Sequence, residues 1–335
     1  MIVYSSESTV RHSDYGILIP IYRNKAEQIY TALQKDCMQG IPKTAWVHKP
    51  SGTSLAKEDV LRVHTEAFVE RLFSDFPDQE LIKTFELIRE DGSYNRYDPN
   101  KALKPLSSLA HEIFTGVQAG CEAGEIALKT GFTYFLGGGM HHAMADSGSG
   151  FCLVNDVVIT ARYLQAKKLI KTVWIIDLDA HKGDGTAALT KDDKSIITLS
   201  IHMAKGWPLD EPEYYPDGTY NTSWTPSDID IGIQRGEENL YADKLKEALS
   251  KLETVGNNPD LAVIVDGSDP YEKDELESTK DLQLTKEMLA HRSMLVYNFL
   301  KQKNIPMLYF MAGGYGKDSW EIHTDFLSTV LPSIL

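Results

Sequence analysis

Side chains that can bind a metal ion occupy alternate positions in the segment IIDLDAH, namely Asp177, Asp179 and His181. Alternate side chains of an extended segment share one face, so these groups can converge. A catalytic zinc ion takes three carboxylate or imidazole ligands and keeps one position for water. Asp179 and His181 would supply two ligands, and Asp269 in DGSDP is the candidate third. A single Asp here would be more typical of a helix N-cap, but the whole pattern favours a metal site.

Adjacent histidines, His141 and His142, follow a run of three glycines. Hydrolysis at a metal site needs one group that takes a proton from water and one that gives a proton to the leaving group. A histidine can do both when a carboxylate fixes its tautomer, and Asp177 and Asp184 flank the metal ligands. The alternative is that both histidines are surface residues or metal ligands without a role in proton transfer.

Aromatic residues stand beside glycines in two further segments. Tyr315 in AGGYG could donate its hydroxyl hydrogen to a developing oxyanion opposite the metal. Taken alone, a tyrosine in a Gly-rich turn is more often a packing residue. Phe151 follows Gly150 and could line an apolar slot, although an isolated phenylalanine is more often part of a core.

The elements that must position these residues alternate between strands and helices. This alternation indicates right-handed crossovers and a mostly parallel sheet covered on both faces, an α/β fold. Ligands bind at the carboxyl ends of such strands, where the segments above are found. Strands are predicted at 1–4, 132–136, 172–178, 195–201, 261–265 and 306–311, and helices at 57–73, 106–129, 152–167, 239–253, 285–303 and 319–330.

Composition sets limits on the class of protein. The 335 residues carry a formal net charge of −14, which argues against direct nucleic-acid binding and would attract cationic substrates, although simple solubility also explains it. No transmembrane span, signal peptide or long linker is predicted, so residues 1–335 are interpreted as one domain. Three scattered cysteines, Cys37, Cys121 and Cys152, indicate a reducing compartment, and we expect a cytoplasmic protein.

A formal match to a dinucleotide-binding turn occurs in the segment GDGTAA at 183–188, which follows a strand. Asp179 and Asp184 would crowd and repel a pyrophosphate at this place. No second strand ending in an acidic residue follows at the required distance. The sequence therefore argues against NAD binding.

Several segments together resemble the histone deacetylase family, nearest to its class IV branch and to bacterial deacetylase-like amidohydrolases. They are GGGMHHAMADSGSGFCLVNDVVITARYL, TVWIIDLDAHKGDGTA, ITLSIH, VDGSDP and MAGGYG, and the resemblance runs from about Asp59 to the C-terminus. It implies an arginase/deacetylase-like fold with a central sheet of about eight strands. It also implies a zinc-dependent amidohydrolase that removes acetyl or longer acyl groups from lysine side chains.

The resemblance assigns roles to individual positions. His142, paired with Asp184, would be the general base and acid, and His141, paired with Asp177, would act mainly through its charge. The zinc ligands would be Asp179, His181 and Asp269, and Tyr315 would donate to the carbonyl oxygen. Gly150, Phe151, Gly313 and Gly314 would contact the substrate, with Tyr215 or its rival Trp207 at the opposite wall. A structural potassium ion would be held by Asp177, Asp179, His181, Ser200 and Ile201.

Departures from the family pattern leave the substrate open. Lys182 stands where the family commonly has His or Gln, and Pro270 precedes the acidic segment EKDELEST. The resemblance implies a substrate that is an acylated lysine in a protein or peptide, or an acylated polyamine. An arginase-type ureohydrolase, which uses two metal ions, and an inactive module that binds acylated lysine are further alternatives.

Overall fold

Eight parallel strands form one sheet in the computed structural model, which describes residues 1–6, 9–21, 25–256 and 258–335. The strand order is β2-β1-β3-β8-β7-β4-β5-β6, and every neighbouring pair runs parallel. The strands are β1 (Ile2–Val3), β2 (Val47–His48), β3 (Phe132–Phe135), β4 (Val173–Asp177), β5 (Ile196–Met203), β6 (Ile229–Ile233), β7 (Leu261–Val265) and β8 (Met307–Phe310).

Helices cover both faces of this sheet, which confirms the predicted fold class. They are α1 (Lys25–Asp36), α2 (Lys43–Trp46), α3 (Lys57–Val60), α4 (Glu66–Leu72), α5 (Asp78–Thr84), α6 (Leu109–Thr130), α7 (Asp156–Ala166), α8 (Asp184–Thr190), α9 (Tyr241–Val255), α10 (Lys286–Gln302) and α11 (Ser319–Val330). Short 3₁₀ turns occur in several of the connections between them.

The central strands are apolar throughout because each of their faces packs in a separate core. In β4, Val173 and Ile175 belong to the core that α6 and α7 cover, whereas Trp174 and Ile176 belong to the core under α9, α10 and α11. β7 alternates in the same way, and all five of its residues are buried. Continuous apolar runs of this kind are typical of parallel strands with helices on both sides.

Several element boundaries differ from the sequence-based prediction. The predicted helix at 57–73 is two helices, α3 and α4, separated by residues 61–65. The helix predicted from 152 begins at Asp156, because Asn155 caps it by accepting a hydrogen bond from the amide of Val158 at 3.0 Å. The last helix matches its prediction at 319–330. The sequence analysis did not predict β2, β6, α1, α2, α5 or α8.

Candidate active site

The segments that follow β3, β8, β7 and β4 lie side by side, because these four strands are consecutive in the sheet. All four strands run in the same direction, so their carboxyl ends meet at one edge. This edge brings together the glycine and histidine segment at 137–142, the tyrosine segment at 311–316, and the two aspartate segments at 177–185 and 266–270.

Asp179, His181 and Asp269 form a buried donor set at this edge. One ligand atom from each lies within 4.8 Å of the other two. The Nδ1 atom of His181 is 3.2 Å from Asp179 Oδ1 and 3.2 Å from Asp269 Oδ2. Burial and the charge of Asp179 raise the pKa of Asp269. A divalent cation would stabilise both carboxylates in their ionised form, so the donor set fits a metal ion.

Backbone amides orient the carboxylates of this donor set. The amide of Ala180 donates to Asp269 Oδ1 at 2.9 Å, and the amide of Gly313 donates to Asp179 Oδ2 at 3.1 Å. A Cβ atom on Gly313 would lie 2.4 Å from Asp179 Oδ2 and 2.7 Å from Asp269 Oδ2. Only glycine therefore brings its backbone close enough to hold the donor set from this side.

The two predicted histidine–aspartate pairs are both formed. His141 Nδ1 lies 2.7 Å from Asp177 Oδ2, and His142 Nδ1 lies 2.7 Å from Asp184 Oδ1. Each pair occupies Nδ1, so the Nε2 atom of each ring remains for other contacts. His141 Nε2 is 3.7 Å from Asp179 Oδ1, which places this histidine beside the donor set.

The surroundings shift the pKa values of these two histidines in opposite directions. Burial, together with the charge of His141, lowers the pKa of His142 to about 4. Burial also acts to lower the pKa of His141, but the carboxylates of Asp177 and Asp179 outweigh it and raise the value to about 9. His142 is therefore the better proton acceptor near neutral pH, and His141 the better fixed positive charge.

A cavity of about 210 Å³, here called the outer cavity, opens onto His142 and His181. Trp207 forms one wall, with its ring centroid 4.5 Å from that of His142 and 5.6 Å from that of His181. A Cβ atom on Gly150 would lie 2.3 Å from Trp207, so glycine lets this wall come close. The outer cavity is lined by Glu86, Arg96, His142, Gly150, Phe151, His181, Trp207, Leu276, Ser278 and Tyr315.

Tyr215 lies away from the outer cavity. Tyr215 is 39% exposed. It lies in a turn of the loop that follows Trp207, where its amide donates to the Thr219 carbonyl and its carbonyl accepts from the Gly218 amide. Within the described residues, the wall that sequence reasoning divided between Tyr215 and Trp207 is therefore formed by Trp207. An aromatic residue in an irregular loop carries no periodic signal that would have shown which of the two faces inward.

A second cavity of about 210 Å³, the inner cavity, shares Gly150, Phe151 and Tyr315 with the outer one. Its walls include Phe85, Ile113, Phe135 and Met140, together with the predicted substrate residues Gly313 and Gly314. Mostly apolar side chains therefore surround the space behind Tyr315.

Tyr315 lies where the two cavities meet. Its amide donates to Asp274 Oδ2 at 2.7 Å, which fixes the backbone that carries the ring. Burial, together with the nearby carboxylates of Asp269 and Asp179, raises the pKa of the Tyr315 hydroxyl well above its ordinary value. The hydroxyl therefore keeps its hydrogen and can act as a donor.

Two of the residues predicted to hold potassium, Asp177 and Ser200, are neighbours in the sheet. Asp177 of β4 and Ser200 of β5 are directly paired across the two strands. Ser200 Oγ is buried and has no hydrogen-bond partner within the described part of the chain, while Ile201 beside it is fully buried. A buried, unpartnered hydroxyl oxygen next to a carboxylate fits a bound cation.

Arg292 was not found by sequence reasoning, yet it supports the site from behind. Its side chain is fully buried and donates to the carbonyls of Leu178 and Gly267, each at 2.9 Å, and to Asp266 Oδ1 at 2.9 Å. It thereby ties the segment after β4 to the segment after β7. The sequence did contain a signal for this role, because Arg292 is a charged residue on the apolar face of α10, one turn from Leu289.

Lys25 at the start of α1 is a second residue that sequence reasoning missed. Its side chain is only 7% exposed, and Nζ donates to the carbonyls of Ala312, Gly313 and Gly314 at 3.0, 3.3 and 3.4 Å. Burial lowers the pKa of Lys25 to about 8, against the raising effect of Asp269 and other carboxylates. A lysine at a helix start carries no sequence signal for such a role.

These features define an α/β protein with a candidate metal site at one edge of its sheet, formed by an Asp-His-Asp donor set beside two buried histidine–aspartate pairs. The family model of the histone deacetylase domain matches residues 20–329, so the chain belongs to the histone deacetylase family. The resemblance inferred from the sequence motifs is thereby confirmed. No helix in the described residues has the length and apolar character needed to cross a membrane.

Individual relatives cover less of the chain. An uncharacterised protein of Picosynechococcus sp. is 30% identical over 217 residues, which are 63% of this chain and 65% of that protein. Histone deacetylase 2 of Arabidopsis thaliana is 29% identical over 210 residues, 62% of this chain and 50% of that protein. Acetoin utilization protein AcuC of Staphylococcus aureus is 54% identical over 67 residues, 20% of this chain and 17% of that protein. The chain thus spans less than two thirds of the length of these relatives.

Proposed function

We propose that this protein is a zinc-dependent deacylase that removes acetyl or longer acyl groups from lysine side chains. The observation that carries the proposal is that His181 of the donor set, His142 of the His142–Asp184 pair and Tyr315 line one cavity in a chain of the histone deacetylase family. Each of these groups has a distinct role in amide hydrolysis. The donor set and the His142–Asp184 pair are buried, and Tyr315 is partly buried.

Asp179, His181 and Asp269 would hold the zinc ion. Bound there, zinc supplies Lewis-acid chemistry, polarising a carbonyl and lowering the pKa of a bound water to about 7. The backbone amides of Ala180 and Gly313 fix the two carboxylates, so the donor atoms are oriented before the metal binds.

His142 would move the proton. Asp184 holds its Nδ1 atom, and the lowered pKa keeps the ring neutral, so Nε2 can take a proton from water. The same Nε2 atom then gives that proton to the departing amine. His141, with its raised pKa, would stay protonated and stabilise negative charge through its fixed position beside Asp179.

Tyr315 would donate its hydroxyl hydrogen to the carbonyl oxygen as negative charge develops there. Its raised pKa supports this role, because a phenolate could not donate. Phe151 and Trp207 would enclose the methylene chain of the lysine in the outer cavity. The inner cavity behind Tyr315 is lined mostly by apolar side chains, which supports the proposal that acyl groups longer than acetyl are also removed.

A structural potassium ion is part of this proposal. Asp177, Asp179, His181, Ser200 and Ile201 would surround it, and the unpartnered Ser200 Oγ is the observation in its favour. We further propose that the chain acts as one domain in a reducing compartment such as the cytoplasm. The unpaired cysteines Cys37, Cys121 and Cys152 support that environment.

The alternatives differ in metal content and substrate. An acetylpolyamine deacetylase would use the same chemistry on a small cationic substrate. An arginase-type enzyme needs two metal ions, whereas the described residues offer a single group of three candidate ligands. A module that only binds acylated lysine would lack turnover.

A substrate panel with measured metal content separates these possibilities. We expect hydrolysis of acyl-lysine peptides, loss of activity with a chelator, recovery on adding zinc, and one zinc ion bound per donor set. Turnover of arginine with two metal ions per chain would favour the ureohydrolase. Absence of hydrolysis across acetyl-lysine, longer acyl-lysine and acetylpolyamine substrates in the zinc-loaded protein would overturn the proposal.

A further inference from the structure

Two charged side chains at the outer cavity have no part in the proposed reaction. Glu86 and Arg96 line this cavity together with His142 and Tyr315. They flank a short hairpin in which Ile88 and Tyr94 pair in antiparallel fashion. A substrate whose acyl group reaches Tyr315 would therefore place its opposite end near one carboxylate and one guanidinium.

The guanidinium of Arg96 is held against an aromatic wall. Its central carbon lies 5.8 Å from the centre of the Phe151 ring. Within the described part of the chain, no carboxylate oxygen lies within 4.0 Å of its nitrogen atoms. A guanidinium that rests on an aromatic face keeps its N–H donors free along its edge, where they match the two oxygens of a carboxylate.

The carboxylate of Glu86 also lacks a charged partner. No lysine, arginine or histidine nitrogen among the described residues lies within 4.0 Å of it, so Glu86 and Arg96 do not neutralise each other. The side chains of both residues are exposed. Both charges are therefore available to a ligand at the opening of the outer cavity.

The backbone at this opening is held in an unfavourable conformation. Glu86, Arg96 and Phe151 have φ values of 52°, 49° and 65°, and they are three of the six described non-glycine residues with positive φ. Hydrogen bonds fix them: Asn95 Nδ2 donates to the Glu86 carbonyl at 2.9 Å, and the amide of Leu18 donates to the Arg96 carbonyl at 2.7 Å. Strain of this kind persists where the surroundings impose it, often around ligand sites.

We propose that Glu86 and Arg96 form a head-group site for a free Nε-acyl-lysine, with the α-carboxylate on Arg96 and the α-ammonium on Glu86. This inference rests on the proposed deacylase function and names its substrate class. The head group of a free amino acid carries one negative and one positive charge, which matches the two unpaired charges at the opening. The acyl-lysine side chain would then run past Phe151 and Trp207 to the donor set.

Other substrates match this opening less well. The main-chain amides of a lysine inside a peptide are neutral, so both protein charges would stay unpaired. A polyamine would satisfy Glu86 but would be repelled by Arg96. The net charge of −14 attracts cations over about one Debye length, roughly 8 Å in physiological salt, whereas direct contacts decide which head group is held.

The proposal is tested with four ligands and four proteins. The ligands are Nε-acetyl-lysine, its α-amide, its Nα-acetyl derivative and the compound with both caps. The proteins are the wild type, Arg96→Gln, Glu86→Gln and the control Arg62→Gln, whose guanidinium pairs with Asp59 away from the cavity. The kinetic readout is kcat/KM. The binding readout is the Kd from calorimetry, measured in the zinc-loaded Tyr315→Phe protein with and without each of the same substitutions.

We expect the wild type to prefer free Nε-acetyl-lysine over its α-amide by about tenfold, the factor that corresponds to 1.4 kcal/mol. Arg96→Gln should remove the preference for the free carboxylate and keep the preference for the free amine, and Glu86→Gln should do the reverse. Arg62→Gln should retain both. Equal kcat/KM for all four ligands in the wild type would overturn the head-group site while leaving the deacylase proposal intact.

Peptides test whether the carboxylate that Arg96 binds comes from an acidic side chain of a peptide rather than from a free amino acid. Acetyl-lysine peptides with a neighbouring Glu or Gln are compared in the same proteins. An Arg96-dependent preference for Glu peptides, with none for the free amino acid, would replace the proposed substrate with an acidic peptide. If none of the compounds is hydrolysed, the deacylase proposal fails, and the Kd values alone then decide whether Arg96 and Glu86 bind the head group.

Discussion

The rings of His141 and His142 lie 3.9 Å apart between their centroids, yet their pKa values are driven to about 9 and about 4. The difference arises because burial dominates at His142, whereas at His141 the carboxylates of Asp177 and Asp179 outweigh burial. Adjacent positions in the chain therefore provide one fixed cation and one neutral base. This division underlies the first prediction.

Replacing Asp184 by Asn should reduce kcat by about 10³-fold without loss of zinc. The amide can donate to Nδ1 of His142 and so favour the tautomer that carries the hydrogen on Nε2, which cannot accept a proton. Asp177→Asn is the matched comparison, because it alters the pair on His141 and should cost less. Zinc content is measured beside kcat, and an equal loss in both variants would argue against His142 as the base.

Tyr315→Phe should bind zinc normally and lose about 10² to 10³ in kcat, the usual cost of one missing oxyanion donor. Tyr297→Phe in α10 is the matched control, since it removes a buried hydroxyl without a hydrogen-bond partner in the described structure. Steady-state kinetics and metal analysis check both variants. Near wild-type turnover in Tyr315→Phe would remove this residue from the mechanism.

Gly313→Ala should weaken zinc affinity by about tenfold or more. The new Cβ atom would lie 2.4 Å from Asp179 Oδ2, so the loop or the carboxylate must move, and partners that orient ligands typically contribute 10- to 100-fold to metal affinity. Gly256→Ala is the control, because its Cβ would meet no atom closer than 3.4 Å. Competition with a zinc indicator gives the affinities, and equal values in the two variants would contradict the geometry.

His64 should make the fold sensitive to acid. Burial lowers its pKa to about 4, so the folded state keeps it neutral, with Nδ1 bonded to the Met144 carbonyl at 2.8 Å and Nε2 accepting from the Asn155 amide at 3.0 Å. An unfolded histidine titrates near 6.5. The contribution of His64 to stability is thus complete above about pH 6.5 and is lost as the pH falls toward 4.

The measurement is the urea midpoint of the zinc-loaded protein between pH 7 and pH 4.5. His64→Gln should be less stable than the wild type at pH 7. As the pH falls, its free energy of unfolding should decrease less steeply, with a slope that differs from the wild-type slope by up to about 1.4 kcal/mol per pH unit. His111→Gln on the exposed side of α6 should follow the wild-type slope. A wild-type slope in His64→Gln would show that this histidine does not titrate on unfolding.

Lys182 contributes stability through Asp230. Its buried Nζ lies 3.0 Å from Asp230 Oδ2, and His202 Nε2 lies 2.9 Å from the other oxygen. Burial acts to raise the pKa of Asp230, but His202 and Lys182 outweigh it and lower the value to about 2. Lys182→Met should destabilise the fold by about 1–3 kcal/mol, because the partly buried carboxylate loses one cation.

A double-mutant cycle isolates this pair. Lys182→Met combined with Asp230→Asn should recover part of the lost stability, since no unpaired charge then remains. Denaturant unfolding gives the four free energies. Strict additivity of the two changes would mean that the ion pair contributes nothing, and that Lys182 acts only through its hydrocarbon chain.

The sequence predicted the sheet and the residues at its edge because both depend on local patterns. Apolar runs such as TVWIIDL identify a buried parallel strand, and the spacing of Asp177, Asp179 and His181 follows from extended geometry. Arg292 and Lys25 could not be predicted with the same means. Their roles depend on partners 114 and 287 residues away in the chain, and only the packing of α10 and α1 brings them there.

The wall opposite Phe151 shows a different kind of limit. Trp207 and Tyr215 lie in one irregular loop, and neither has a neighbour pattern that indicates which ring faces inward. Likewise the helix expected at 57–73 has helical spacing throughout, but it breaks at 61–65, where His64 turns inward to bond Met144 and Asn155. Tertiary hydrogen bonds overrode local preference there.

The hold of Lys25 on the carbonyls of residues 312–314 makes the first helix a part of the catalytic edge rather than an outer layer. Replacing Lys25 by Met would leave β1 in the sheet and keep the donor set, both histidine pairs and Tyr315. It would remove the donor that the carbonyls of Ala312, Gly313 and Gly314 share. Because Lys25 also lines the inner cavity, this change would disturb the acyl-binding space before it disturbed the metal site.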